Sequence, residues 1–467
     1  MKKKLLRIGQ ALAFILVLTI AIHGVYNALK WKDTSGDYIS VMEQLYSTPK
    51  NLVDVVFMGS SHCYCGIYPS VLWEDAGIAS FDMSVSGQDL SSTYHDLKEL
   101  LKTQKPSVVM VDCYGLLFDV SEVESNDYRN YISMDFSLNS IEHINSYRDK
   151  DKIKDFMARF PIIHTRYKEL RRKDFESYSP NQFGRGERAY FVTEEVSFDQ
   201  NVINDETVGS ITKEHEMWLE KMKKLSQDYG FTLELMLIPN VIPKDMQERV
   251  NAFSQYCQKN GIAFTNYNSM LKELGIDSKT DFIDPAHLNA YGARKFTRFL
   301  EGKLLEEYNI EGHADDERYY QWDMDLQWCQ LLENQYVMTR TNDASEFVNA
   351  MIKVPNQYTI ISVEIDATHD VSYYDALKVL GMESDDYERG GIWIYHDGEL
   401  KKICEKQVGA EEYVINLSKY DTLKIGYYGP YEPGNIILNR KDCQTGFDVS
   451  FLTYSNLLGE IIAHRGF

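Results

Sequence analysis

Between residues 52 and 308, short β-branched runs alternate with helix-length amphipathic segments, and this alternation restricts the fold more than any other feature of the chain. The runs Val53–Met58, Ile78–Met83, Ser107–Val111, Thr232–Ile238 and Ile262–Phe264 read as buried strands, the first ended by Gly59 and the third introduced by Pro106. Helical spacing marks Ser91–Thr103, where Tyr94, Leu97, Leu100 and Leu101 share a face and Ser91 is the candidate cap. It recurs at Thr212–Tyr229, Lys244–Lys259 and Ala290–Tyr308. Strands joined through helices run parallel, so the expectation is an α/β domain built on a doubly wound, mainly parallel sheet covered on both faces. Ligands of such sheets bind beyond the carboxyl ends of the strands. A less regular insert, about 120–210, falls between the third and fourth strands and is expected to collect there.

Beyond residue 340 the hydrophobic period changes to two, in YTIISVEID, GGIWIYHDG, EEYVINLS, TLKIGYYG and GNIILN. This pattern predicts a C-terminal all-β, sandwich-like domain over 341–467. Trp393, Tyr395, Tyr427 and Tyr428 fit either strand-face packing or a sugar-stacking surface, with packing favoured. The acidic stretch 311–340 reads as a linker with a helix, and 31–50 as a polar stalk with room for one short helix before the α/β domain at 51–310.

The first 30 residues predict a cytoplasmic tip and a transmembrane anchor. Lys2, Lys3, Lys4 and Arg7 precede a nearly uncharged stretch through residues 8–26, close to the ~20 residues a spanning helix requires. Cations before the span hold that end in the cytoplasm, which puts the bulk of the chain outside. An uncleaved single-pass anchor is expected, with a cleaved signal peptide as its rival. Lys+Arg of 49 against Asp+Glu of 70 gives a net charge of -21, and no basic run could track a phosphate backbone, so nucleic acid is not an expected partner. Seven scattered cysteines are an odd number and too few for a disulfide scaffold.

Two stretches carry candidate chemistry. In FMGSSHCYCGIYPS, Ser61 stands two places after Gly59 at the end of the first strand, where a turn would aim its hydroxyl into the crevice. Alone, this is equally a turn serine bonded to its own backbone. In DFIDPAHLNAYGARKF, Asp284 and His287 are three apart before the last helix, with Asn289 as its cap. A serine hydroxyl needs an imidazole to take its proton, and the imidazole needs a carboxylate to fix its tautomer. His62, Cys63, Cys65 and Cys113 could meet at adjacent strand ends, but their spacing follows no structural zinc pattern and small apolar fillers explain the thiols more simply. Neither metal nor cofactor is expected. His164, Arg166 and Tyr167 in FPIIHTRYKEL are candidate substrate-binding residues of the insert, or parts of a capping helix.

Together these stretches resemble the SGNH, or GDSL-like, hydrolase superfamily over residues 52 to about 308. The first block is Gly59, Ser60 and Ser61, and the last is Asp284 to His287 in DPAHLNAYGARKF. The resemblance implies a flavodoxin-like sheet of SGNH type, with Ser61 as nucleophile, His287 as base and Asp284 as its orienter. Gly87 in FDMSVSGQ matches the second block, so its N–H would join that of Ser61 around an oxyanion. The third block departs from the pattern: VVMVDCYGLLF holds no asparagine, and Tyr114 or Asn126 are the candidates for the remaining donor. Losing one such donor costs about 2.7–4 kcal/mol of transition-state stabilisation.

The GSS-type block and the anchor are similar to exported branches that acylate or deacylate cell-wall polymers. That likeness implies an extracytoplasmic, membrane-anchored serine esterase or O-acyltransferase acting on acyl esters of a cell-envelope polysaccharide. Its partners would be an acylated glycan or cell-wall polymer and a membrane-bound O-acyltransferase. A catalytically weak SGNH-fold module that binds such a glycan or acyltransferase is the alternative.

Overall fold

The computed structural model describes residues 2–29, 38–117, 133–146, 164–168, 170, 183–364, 371–405, 410–417, 421–427, 435–439, 441–443 and 447–467. The chain divides into two units, Met1–Asp323 and Met324–Phe467. Parallel strands β1 (Val55–Met58), β2 (Ser80–Asp82), β3 (Val108–Asp112), β4 (Thr232–Leu237) and β5 (Ala263–Asn266) organise the first unit in the order β2-β1-β3-β4-β5. This is a doubly wound order whose switch point lies between β1 and β3. The first three strands are buried throughout, which is why they read as continuous apolar runs rather than alternating ones.

Val55, Phe57, Met110 and Met236 share one core with Ile67, Phe282, Phe296 and Leu300. Each such burial stabilises by roughly 1.5–3 kcal/mol. After an N-terminal helix α1 (Lys2–Leu29) and α2 (Tyr38–Ser47), the longer helices among the described residues of the unit are α3 (Ser61–Gly66), α4 (Pro69–Ala76), α5 (Leu90–Leu100), α6 (Leu138–Ser146), α7 (Lys213–Tyr229), α8 (Lys244–Asn260) and α9 (Ala290–Glu306). A short antiparallel pair, β6 (Phe282–Asp284) and β7 (His287–Leu288), leads into α9. Proline opens α4, while Gly77, Gly230 and Gly261 close α4, α7 and α8 in the left-handed conformation. The cap of α5 is Asp89, which accepts from the Ser92 N–H at 2.7 Å, rather than the expected Ser91, already inside the helix.

The short helix allowed for within residues 31–50 lies at Tyr38–Ser47. It is α2, whose Val41, Met42 and Leu45 are buried and whose Tyr46 hydroxyl donates to Glu99 at 3.0 Å. Apolar side chains at i, i+1 and i+4 give this short helix a face to bury, so it joins the body of the unit. Within α1, Arg7–Leu29 is long and apolar enough to cross a membrane, and it is exposed along most of its length, with Leu29 at its end buried.

In the second unit β8 (Gln357–Val363), β9 (Gly391–His396), β10 (Glu399–Glu405), β15 (Val449–Ser455) and β16 (Glu460–Gly466) form an antiparallel sheet ordered β10-β9-β8-β15-β16. Strands β11 (Ala410–Asn416), β12 (Thr422–Tyr427), β13 (Asn435–Leu438) and β14 (Lys441–Asp442) form a second. Ile360, Ile392, Leu452 and Tyr454 of the first sheet pack with Leu423, Ile425 and Ile436 of the second, so the expected sandwich is present. The other face of the larger sheet is covered by helices that the period-two reading did not contain. There Trp393, Phe451 and Val363 meet Phe347 and Met351 of Ala344–Met351 and Leu377 of Val371–Val379. Trp393 is thus a core residue, 2% exposed.

Candidate active site

The turn after β1 is built around the absence of a side chain. Gly59 has φ +146°, and a Cβ there would stand 2.8 Å from the Cβ of Asp112 at the end of neighbouring β3. Only glycine fits both constraints. Ser60 follows in extended conformation as the N-cap of α3, and Ser61 is its first helical residue, partly exposed at the carboxyl edge of the sheet.

The second stretch folds as the tight antiparallel pair β6 and β7. Asp284 shapes the turn: its Oδ1 accepts from the N–H of Ala286 at 2.7 Å and of His287 at 3.0 Å. Asn289 locks the turn to α9, accepting from the N–H groups of Tyr291 and Gly292 while its amide donates to the Thr280 carbonyl. Gly292 leaves room for the close approach of the Asp281 carbonyl, which fixes the depth at which the helix docks.

These two constructions, 226 residues apart in the chain, bring the Ser61 Oγ to 2.8 Å from His287 Nε2. On the other side of the ring, Nδ1 lies 3.0 and 3.1 Å from the two carboxylate oxygens of Asp284. The carboxylate side therefore holds the Nδ1 proton and leaves Nε2 as a lone-pair acceptor facing the hydroxyl. The His287 side chain is 23% exposed and that of Asp284 42%, so the acid partner is open to water.

Beneath this line lies a buried layer. His62 is buried, its Nδ1 is 3.0 Å from Ser60 Oγ, and its ring stacks on Tyr114 at 3.5 Å and lies 4.7 Å from the ring of His287. Burial first, and the charge of His287 second, hold the His62 imidazolium well below the usual histidine range. Asp82 and Asp112, the last residues of β2 and β3, are both pushed up to about 7 by burial. Sequence reasoning missed the placement of His62 against His287 and both carboxyls. The available signal was an aspartate ending each of two apolar strands, SFD and VVMVD.

The remaining candidates are dispersed. Gly87 lies in the turn after β2 at φ +64°, exposed, and the loop after β3 touches it closely, because a Cβ on Gly115 would meet the Gln88 carbonyl. Tyr114 lies against His62, and its N–H donates to Asp112 at 3.4 Å. Asn126 lies outside the described residues, as does the side chain of His164. Arg166 donates to the Leu29 carbonyl at 3.2 Å and Tyr167 is exposed, which places this segment beside the last turn of α1. Cys63, Cys65 and Cys113 are buried thiols whose ionisation burial pushes up, and among the described residues no cluster of three His, Cys, Asp or Glu groups is poised to hold a metal ion.

No family model and no curated protein matches the chain. Among solved structures the chain is similar to a protein described as a "putative acylhydrolase" from Bacteroides fragilis, at 12% identity and a TM-score of 0.31, over 60% of this chain and 99% of that one. It is also similar to a gut microbial diltiazem-metabolizing enzyme, at 13% identity and a TM-score of 0.27, over 55% of this chain and 48% of that one. The chain thus spans about half the length of the second.

Proposed function

We propose that the protein is a serine ester hydrolase or O-acyltransferase that works outside the cytoplasm on acyl esters of a cell-envelope polysaccharide. The reading rests on one observation: a hydroxyl, an imidazole and a carboxylate in line, with Ser61 Oγ 2.8 Å from His287 Nε2 and Asp284 on Nδ1. Ser61 Oγ attacks the ester carbonyl as its proton passes to His287 Nε2, and Asp284 stabilises the imidazolium that results. The N–H groups of Ser61 and Gly87 receive the oxyanion. Collapse expels the alcohol, which takes the proton from His287, and leaves an acyl group on Ser61. Water, deprotonated by the same imidazole, releases the acid, and a sugar hydroxyl in its place completes a transfer.

The apolar Arg7–Leu29 segment, exposed along most of its length, supports a membrane-anchored location, and the cations ahead of it support a cytoplasmic N-terminus. Within this reading a membrane-bound O-acyltransferase is the natural acyl source. The test uses the full-length chain in detergent with p-nitrophenyl acetate and a fluorophosphonate probe. Hydrolysis and labelling are expected, both lost in Ser61→Ala. Labelling that persists in that variant refutes the assignment.

A second reading, a weakly catalytic glycan- or acyltransferase-binding module, is favoured by the third block, where asparagine is absent and the Tyr114 N–H is committed to Asp112. Binding of cell-wall glycan with no labelling of Ser61 supports it.

A further inference from the structure

Asp284 is an unusual orienter for a base because 42% of its side chain is exposed, so water competes for the carboxylate that should aim the ring. The opposite support comes from inside. The His287 ring lies 4.7 Å from that of His62, tilted by 30°, and His62 in turn stacks on Tyr114 at 3.5 Å, so three rings form a continuous pile running from the buried layer to the site. His62 itself is fixed by a chain of hydrogen bonds. Its Nδ1 meets Ser60 Oγ at 3.0 Å, and the Ser60 hydroxyl bonds the carboxylate of Asp112. With the Ser60 proton given to ionised Asp112, Ser60 Oγ must accept from His62, which places the ring proton on Nδ1. The Nε2 is buried with no hydrogen-bond partner among the described residues, as suits a bare lone pair better than an N–H.

We propose that His62 is a positioning residue for His287: anchored through Ser60 and Asp112, its uncharged ring is the floor that holds the catalytic imidazole in line with Ser61. The inference rests on the Ser61–His287 assignment and adds a residue to it. Neutrality matters because a second cation against His287 would oppose the imidazolium formed as Ser61 loses its proton. Among the described residues, the charged and titratable groups facing this layer are His287 above His62, Asp82 and Cys63 beside Asp112, Arg188 acting on Asp82, Cys113 and Tyr114 from the end of β3, and Asp284 acting on Tyr114. None is a cation held against His62 other than His287 in its protonated form.

The experiment uses the full-length chain in detergent, labelled with nitrogen-15 at histidine, and compares the parent with His62→Phe, His62→Leu and Ser60→Ala. The parent is expected to show His62 as an Nδ1–H tautomer near pH 8 and still uncharged at about pH 6.5, where a free imidazole is half protonated. It should also show a downfield Nδ1–H proton of His287 bonded to Asp284. His62→Phe retains the ring floor and that proton signal. His62→Leu loses the signal and labels with fluorophosphonate about 10- to 100-fold more slowly. Ser60→Ala leaves the fold intact and mixes the His62 tautomers. A charged His62 within that pH range overturns the inference, as does a His62→Leu protein with the parent's signal and labelling rate. If the parent itself does not label, the hydrolase reading falls, and the His287 proton signal in the two His62 variants still decides whether His62 positions the ring.

Discussion

Replacing Asp112 with asparagine removes the one charge that sits directly behind the Gly59 turn, and the consequence can be worked through as a function of pH. Burial raises the Asp112 carboxyl from 3.8 to about 7, outweighing the N–H groups of Ile238 and Tyr114 that stabilise its anion. The folded value lies above the unfolded one. Between about pH 4 and pH 7 the folded protein therefore holds a proton that the unfolded chain has released, so stability is lost as pH rises through that window and levels off above it. At about 1.4 kcal/mol per pKa unit, the two units from pH 5 to pH 7 amount to about 3 kcal/mol. Asp82, also raised to about 7, acts in the same direction, whereas His62, held low, acts in the opposite one. Both are common to parent and variant and largely cancel in the difference. Asparagine keeps an acceptor for the Ile238 N–H and loses the charge, with a pH-independent offset from the 3.4 Å contact to the Tyr114 N–H. Hydrogen exchange of the β1 and β3 amides, corrected for the intrinsic effect of pH on exchange, measures the opening free energy of both proteins. The Asp112→Asn protein should gain about 3 kcal/mol on the parent between pH 5 and pH 8. Two parallel curves would refute the reasoning, because they would mean that Asp112 titrates in the folded protein as it does in water.

Other substitutions probe the two segments of the site. Asp284→Asn keeps an acceptor for the Ala286 and His287 N–H groups but removes the charge opposite Nδ1, so kcat/KM for p-nitrophenyl acetate should fall about 10²- to 10⁴-fold with little change in thermal stability. Gly59→Ala introduces a methyl against Asp112 at φ +146° and should cost at least about 1–3 kcal/mol, read as a lower unfolding midpoint. Gly302→Ala in α9, with nothing within 4 Å of the added carbon, should instead raise the midpoint by about 0.5–1 kcal/mol of helix stability.

Much of the first unit was legible because its first three strands are buried on both faces. Val55–Met58 and Val108–Asp112 carry no exposed residue, so continuous apolar runs bounded by Gly59 and Pro106 located them to within a residue or two. Ser61, Asp284 and His287 stood out for a different reason, since their residue types and places before helices suit one proton-transfer line. What could not be read was the layer below. His62 looks like a polar loop residue in sequence, and only the switch-point geometry folds it back beneath His287. The burial of the short helix at 38–47 was not legible because Val41, Met42 and Leu45 sit in a polar stretch, and only a helix concentrates them on one side. In the second unit, period two identified strands such as Ile392–Ile394. It was blind to Ala344–Met351, whose eight residues are too short to establish a helical period against a β-rich background.

The His287 imidazole and the Asp284 carboxylate ride together on the tip of one short hairpin, with Pro285 at the water-facing bend, whereas the Ser61 turn is pinned into the sheet by the Gly59–Asp112 contact. Inheritance will feel that asymmetry. Drift at positions 284–287 can silence chemistry while sparing folding yield, so a descendant stripped of its activity should keep an intact Gly59–Ser60–Ser61 turn long after the hairpin has changed.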